Sequence, residues 1–152
     1  MKEVITKELI FMNMQFKEQD EVFRFLAQQL KDTGRSTSVE EVKNGFYTRE
    51  AEFSTYIDNE IAIPHCRNKS IKDASVAIVI NDTGIAWTDT GEYAKILFAL
   101  MIPEANENQM HIRVLAQVAQ MIMVESFVES LKKASSADEI YEMMQSLNEV
   151  IQ

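Results

Sequence analysis

The chain has 152 residues, 46% of them hydrophobic and 26% charged, with only four glycines and two prolines, which excludes a disordered, collagenous or linker-rich polypeptide and suits one domain with its own core. Fifteen Lys and Arg against 24 Asp and Glu leave a net charge of −9, a field that repels a phosphodiester backbone and argues against a nucleic-acid partner. The single cysteine, Cys66, allows no internal disulfide, the charges of MKEVITKELIF interrupt any signal-peptide core, and no apolar run approaches the roughly 20 residues of a membrane span. A cytoplasmic location is therefore expected, with residues 1–152 forming a single domain.

Residues 9–16 (LIFMNMQF) are apolar with partial alternation and predict a short strand. From 17 to 31 the period changes: Val22, Phe23, Leu26, Ala27 and Leu30 recur every three or four residues, the stripe of an amphipathic helix, and Gly34 stops it. Ser38 followed by Glu41 reads as a capping box, opening a second helix with Val39, Val42, Phe46 and Phe53 facing inward. Residues 60–64, 74–80, 84–87 and 95–102 are short, rich in Ile and Val, and separated by Asn-Asp-Thr-Gly and Asp-Thr-Gly turn signals, so four strand segments are expected. KILFALMI is apolar on both faces, as a central strand covered on both sides must be. After the polar segment 104–109, His111, Val114, Leu115, Val118 and Ile122 mark a helix that His111 opens; a short helix near 126–132 and a last one capped by Ser136 with Glu139 follow. The middle strands lie too close in sequence for parallel crossovers between neighbours. The expected fold is thus a three-layer α/β/α sandwich with a mixed central sheet.

Only two histidines are available for chemistry. His65 follows Ile61-Ala62-Ile63-Pro64, where proline ends regular pairing, so its imidazole is expected at a strand end; local context leaves a structural and a functional role equally open. A dyad of His65 with Cys66 is disfavoured because neighbours on an extended segment point to opposite sides. No paired Cys or His spacing marks a metal site, so neither a metal nor another cofactor is expected.

Thr48-Arg49-Glu50-Ala51-Glu52-Phe53-Ser54-Thr55, followed by Ile61-Ala62-Ile63-Pro64-His65, resembles the signature of enzyme IIA domains of the fructose and mannitol class of the phosphoenolpyruvate-dependent sugar phosphotransferase system. The likeness extends to Gly84-Ile85-Ala86-Trp87, to the strand 95–102, to His111 with Leu115 and Ala119, and to Ser135-Ser136-Ala137-Asp138-Glu139-Ile140. It implies that His65 accepts a phosphoryl group from HPr and passes it to a cognate enzyme IIB, the membrane component IIC being involved only indirectly. It also implies that Arg49 stabilises the phosphate and that His111 is an auxiliary group rather than a second acceptor. Ser54 and Thr55 are read either as phosphate or His65 ligands or as capping and turn residues. The basic run Arg67, Lys69 and Lys72 reads as charge support for the site or as a solvated loop. A related alternative is a regulatory phosphoacceptor of the nitrogen type, acting through phosphorylation-dependent protein binding. One departure is local: family members carry glycines before Ile-Ala-Ile-Pro-His, whereas here Tyr56-Ile57-Asp58-Asn59-Glu60 stands there, so Asp58 or Asn59 is expected at the tight position.

Overall fold

The structure, a computed structural model, describes residues 3–105 and 109–151, so residues 106–108 of the polar segment 104–109 lie outside the described residues. Six strands form one mixed sheet: β1 (Ile10–Met14), β2 (Tyr56–Asp58), β3 (Ile61–Ala62), β4 (His65–Asn68), β5 (Ser75–Ala86) and β6 (Tyr93–Pro103). Their order is β1-β5-β6-β3-β2, with β4 also on β6. β5 and β6 are antiparallel, as their short connection requires, while β1 on β5 and β3 and β4 on β6 are parallel.

Alternation along the two central strands builds both cores. Val76, Ile78, Ile96, Phe98, Leu100 and Ile102 pack with α3 (Met110–Ile122), α4 (Glu125–Lys133) and α5 (Ala137–Met144). The intervening Ala77, Val79, Leu97, Ala99 and Met101 pack with α1 (Gln19–Asp32) and α2 (Val39–Glu52). The cross-strand pairs Ala77↔Ala99 and Ile78↔Phe98 put small residues on the α1/α2 side. There Phe23 and Phe46 stack at 4.9 Å with rings 5° apart, supplying bulk from the helices. The three layers are those expected. Among the described residues no single helix is long and apolar enough to cross a membrane.

Helix ends follow local chemistry. Ser38 Oγ accepts the Glu41 amide and Ser136 Oγ accepts the Glu139 amide, the serine half of each anticipated capping box, while the Glu139 carboxylate takes the amide and hydroxyl of Ser135. At α1 the cap is Glu18, whose side chain takes the Glu21 amide while the Glu21 carboxylate returns to the Glu18 amide. Gly34, at φ +76°, ends α1 in a Schellman motif: the Arg35 amide reaches Leu30 O and the Gly34 amide reaches Lys31 O.

Three expectations need correction. Residues 74–80 and 84–87 belong to one strand, β5, and the apparent Asn-Asp-Thr-Gly turn is a bulge inside it. Asn81 there takes the Phe16 amide on Oδ1 and donates to Phe16 O and Thr83 O, replacing lost ladder bonds. Phe53 is 68% exposed rather than inward. Finally, Pro64 interrupts the pairing rather than ending it: His65 stands at a strand end as expected, but as the first residue of β4, which continues the line of β3 along β6 after a break at Ile63 and Pro64.

β2 and β3 form a hairpin whose two loop residues, Asn59 and Glu60, both have positive φ (52° and 65°), the signature of a type I′ turn. Of the two residues expected at the tight position, Asp58 and Asn59, it is Asn59 that takes positive φ; Glu60 is the less comfortable partner, since glycine favours that region and a long side chain does not. Among the described residues its side chain makes an exposed contact with Lys95 at 3.7 Å. Glu60→Gly is expected to raise stability by about 0.5–1 kcal/mol, read by urea denaturation. A drop in the unfolding midpoint would show that the Lys95 pair outweighs the backbone strain.

Candidate phosphoryl-transfer site

Pro64 has no amide proton, so the strand ladder cannot continue through it, and its carbonyl accepts the Leu100 amide at 2.9 Å. The preceding carbonyl, of Ile63, is left facing the His65 ring, and Nδ1 lies 2.8 Å from it. On the other side Arg49 Nε donates to His65 Nε2 at 2.9 Å. A carbonyl can only accept and a guanidinium can only donate, so the partners assign the tautomer: Nδ1 carries the proton and Nε2 the lone pair. Burial lowers the His65 pKa below its ordinary 6.5; the Ile63 carbonyl opposes this, the Arg49 charge adds to it, and Glu50 and Glu52 oppose it. The ring is therefore neutral and nucleophilic near pH 7. Its linkage sign follows: the unfolded chain binds the proton more readily, so stability falls as pH drops through 6.5 towards the lowered folded value.

Arg49 lies near the C-terminus of α2 and is held by its neighbours. Its Nη1 donates to Phe53 O at 2.8 Å, and the guanidinium stacks 4.3 Å over the Phe53 ring. That contact explains why a phenylalanine sits exposed at the helix end. Gly45, one turn before Arg49, sets the spacing of α2 from β4: a Cβ there would meet Asn68 Nδ2 at 2.8 Å and Cys66 Cβ at 3.0 Å. Alanine would gain about 1 kcal/mol of helix propensity but would push the helix off the strand that carries His65, costing about 1–3 kcal/mol. Gly45→Ala is expected to lower the melting temperature and lengthen the Arg49 to His65 contact, seen as a rise in the His65 titration midpoint by NMR. An unchanged midpoint would show that the helix absorbs the extra methyl elsewhere.

His65, Arg49, His111, Arg67, Lys69 and Asn68 line one open cleft of about 710 Å³. His111 is the second residue of α3, and its pKa is lowered by burial and by the Arg67 charge. Arg67 is itself tethered, Nη2 to Glu104 O, at 2.9 Å. Lys72 is not part of the cleft lining, so the basic run divides. Among the described residues of the lining, three cations, Arg49, Arg67 and Lys69, are matched by three carboxylates, Glu41, Glu52 and Glu104, so this described lining is charge-balanced rather than basic. Neither hydroxyl before the strand joins it: Ser54 Oγ accepts the Tyr56 amide in a turn, and Thr55 is buried with its hydroxyl on Glu50. Cys66 is buried on the α2 side, and desolvation pushes its thiol pKa far up, so it is no nucleophile.

The structure therefore brings together Arg49, His65 and His111, which lie 16 and 46 residues apart. Sequence reasoning missed Gly45, although a mid-helix glycine in a chain with four of them was an available signal. It also missed the stacking role of Phe53, for which periodicity pointed the wrong way.

Residues 3–147 match the family described as the phosphoenolpyruvate-dependent sugar phosphotransferase system, EIIA 2. The chain belongs to that family. It is 26% identical over 149 residues to the mannitol-specific phosphotransferase enzyme IIA component of Bacillus subtilis, covering 96% of this chain and 99% of that one. It is also 26% identical over 142 residues to Multiphosphoryl transfer protein 2 of Escherichia coli K12, covering 93% of this chain but spanning only 17% of that protein's length. Among solved structures, the nitrogen regulatory protein IIA-Ntr of Neisseria meningitidis superposes with a TM-score of 0.83 at 26% identity, over 92% of this chain and 95% of that one. In this EIIA chain, then, the imidazole, guanidinium and second histidine sit on a fold shared with both sugar and nitrogen members.

Proposed function

We propose that this EIIA chain is a phosphocarrier: Nε2 of His65 accepts a phosphoryl group from phospho-HPr and hands it to a cognate enzyme IIB during sugar uptake and phosphorylation. The observation that carries this reading is His65 lining an open cleft, its Nε2 lone pair accepting from Arg49 while the Ile63 carbonyl holds the proton on Nδ1. In the forward step the Nε2 lone pair attacks phosphorus, the donor's P–N bond breaks, and its electron pair stays on the donor imidazole. No proton has to leave His65, because Nδ1–H remains bonded to a carbonyl that also stabilises the cationic ring formed. Phosphoryl transfer passes through a loose in-line transition state, so the protein's task is to position the groups and offset charge on the equatorial oxygens. Arg49 exchanges its bond to Nε2 for bonds to those oxygens, and His111, in the first turn of α3, supports them. Neither role calls for a metal or a cofactor.

Residues 1–152 are read as one EIIA domain acting in the cytoplasm, with HPr and IIB as protein partners, membrane IIC reached only through IIB, and no role for nucleic acid. A second reading is favoured by the fit to the nitrogen regulatory protein: a regulatory phosphoacceptor that changes its binding partners on phosphorylation. The test is incubation with phosphoenolpyruvate, enzyme I and HPr, followed by intact-mass measurement and a chase with sugar-type IIB domains. One acid-labile phosphoryl group that the chase removes is expected. No uptake from an HPr that charges a control EIIA overturns the phosphocarrier, and label that no IIB removes favours the regulatory reading.

A further inference from the structure

Arg49 is followed in α2 by Glu50, and the pair addresses the two nitrogens of His65 from consecutive positions. Arg49 reaches Nε2 directly. Glu50 turns to Thr55, taking its amide on Oε2 at 2.8 Å and its hydroxyl on Oε1 at 2.7 Å. The same hydroxyl accepts Trp87 Nε1 at 3.2 Å, and both Thr55 and Trp87 are buried, at 4% exposure each. Thr55 Oγ1 thus has its proton committed to Glu50 and a lone pair committed to Trp87, leaving the threonine fixed between α2 and the end of β5. Thr55 O then accepts the Ile63 amide at 3.0 Å. Ile63 is pinned at its amide by Thr55, restricted in backbone torsion by the following Pro64, and offers its carbonyl to His65 Nδ1.

We propose that Glu50 and Thr55 are positioning residues for the phosphoryl acceptor: through Ile63 they fix the carbonyl that keeps the proton on Nδ1 and so keep the lone pair, and with it the nucleophilic role, on Nε2. The proposal deepens the phosphocarrier reading and rests on it for its kinetic consequence, although the tautomer itself can be observed without any transfer. Neither residue touches phosphate. Their effect falls on the population and orientation of the reactive ring, so kcat changes while KM for phospho-HPr does not.

The experiment uses 15N-histidine-labelled protein at a pH where His65 is neutral, with the two-bond nitrogen–proton pattern reporting which nitrogen is protonated, alongside phosphoryl-transfer kinetics. Wild type is expected to show Nδ1–H. Glu50→Ala and Thr55→Val are each expected to give mixed tautomers and a fall in kcat of about tenfold to 100-fold, the range a modest misplacement of a reacting group produces. The double variant should lose little more than either alone, because both act through one link. Thr55→Ser keeps the hydroxyl and should restore both spectrum and rate, which separates positioning from general loss of folding. A wild type with Nε2–H, or variants that keep the wild-type spectrum and kcat, overturns the proposal. A wild type whose Nδ1–H tautomer is lost in Glu50→Ala, yet which takes up no phosphoryl group, supports the positioning and sinks the phosphocarrier reading instead.

Discussion

His65→Ala is expected to take up no phosphoryl group from phospho-HPr, with intact mass unchanged under conditions that label the wild type fully. The ring supplies the bond-forming atom, so its loss removes the reaction rather than slowing it. Cys66 is buried with its thiol protonated, and the Ile63 carbonyl that fixes the tautomer sits on the His65 ring, whereas His111 stands on a separate helix. The half-buried ring contributes little to the core, and the variant should remain folded, losing about 1 kcal/mol. Full labelling of the alanine variant would move the acceptor elsewhere and sink the assignment.

Arg49→Ala should leave His65 phosphorylatable but slow transfer by about 100- to 1000-fold, the cost of removing one preorganised donor from a developing anion. Arg49→Lys should recover only part of this, because a point charge replaces a planar fork and loses the stack on Phe53. The variant also has a pH signature. Burial and the Arg49 charge both hold the His65 pKa below 6.5, so removing the guanidinium raises it. The variant's transfer should therefore begin to fail at a higher pH than the wild type's as acid protonates Nε2. An NMR titration of the two histidines checks the direction. A midpoint that stays put or falls would mean that Arg49 acts on phosphate alone.

How far the sequence could be read depended on whether a signal was local. The helices were legible because apolar stripes such as Val22, Phe23, Leu26 and Leu30 and caps such as Ser38 and Ser136 are local features. The three layers were legible because residues 96–102 (ILFALMI) are apolar at every position, which a strand covered on both faces requires. The continuity of β5 was not, since Asn81 to Gly84 carry turn chemistry, while the contacts of Asn81 with Phe16 and Met14 that help hold them in the strand are long-range. β4 was missed because His-Cys-Arg-Asn has no apolar alternation; parallel pairing to β6 makes it a strand. The site followed the same rule. His65 was singled out by the proline before it and by family resemblance, whereas its contact with Arg49 and the chain through Thr55 and Ile63 are tertiary facts that no spacing encodes.

The matched charges of the cleft acquire a meaning once the acceptor is loaded. A phosphoryl group adds about two negative charges to a mouth in which, among the described residues, three cations and three carboxylates otherwise offset one another. The unloaded surface is then indifferent in sign to an approaching donor, whereas the loaded surface turns anionic at the moment of transfer. A second loaded donor, bearing its own anionic group, is repelled, and a cationic acceptor is drawn in. In the proposed phosphocarrier, one covalent event thus turns a mouth without sign preference into one that favours a cationic visitor over a second anionic donor.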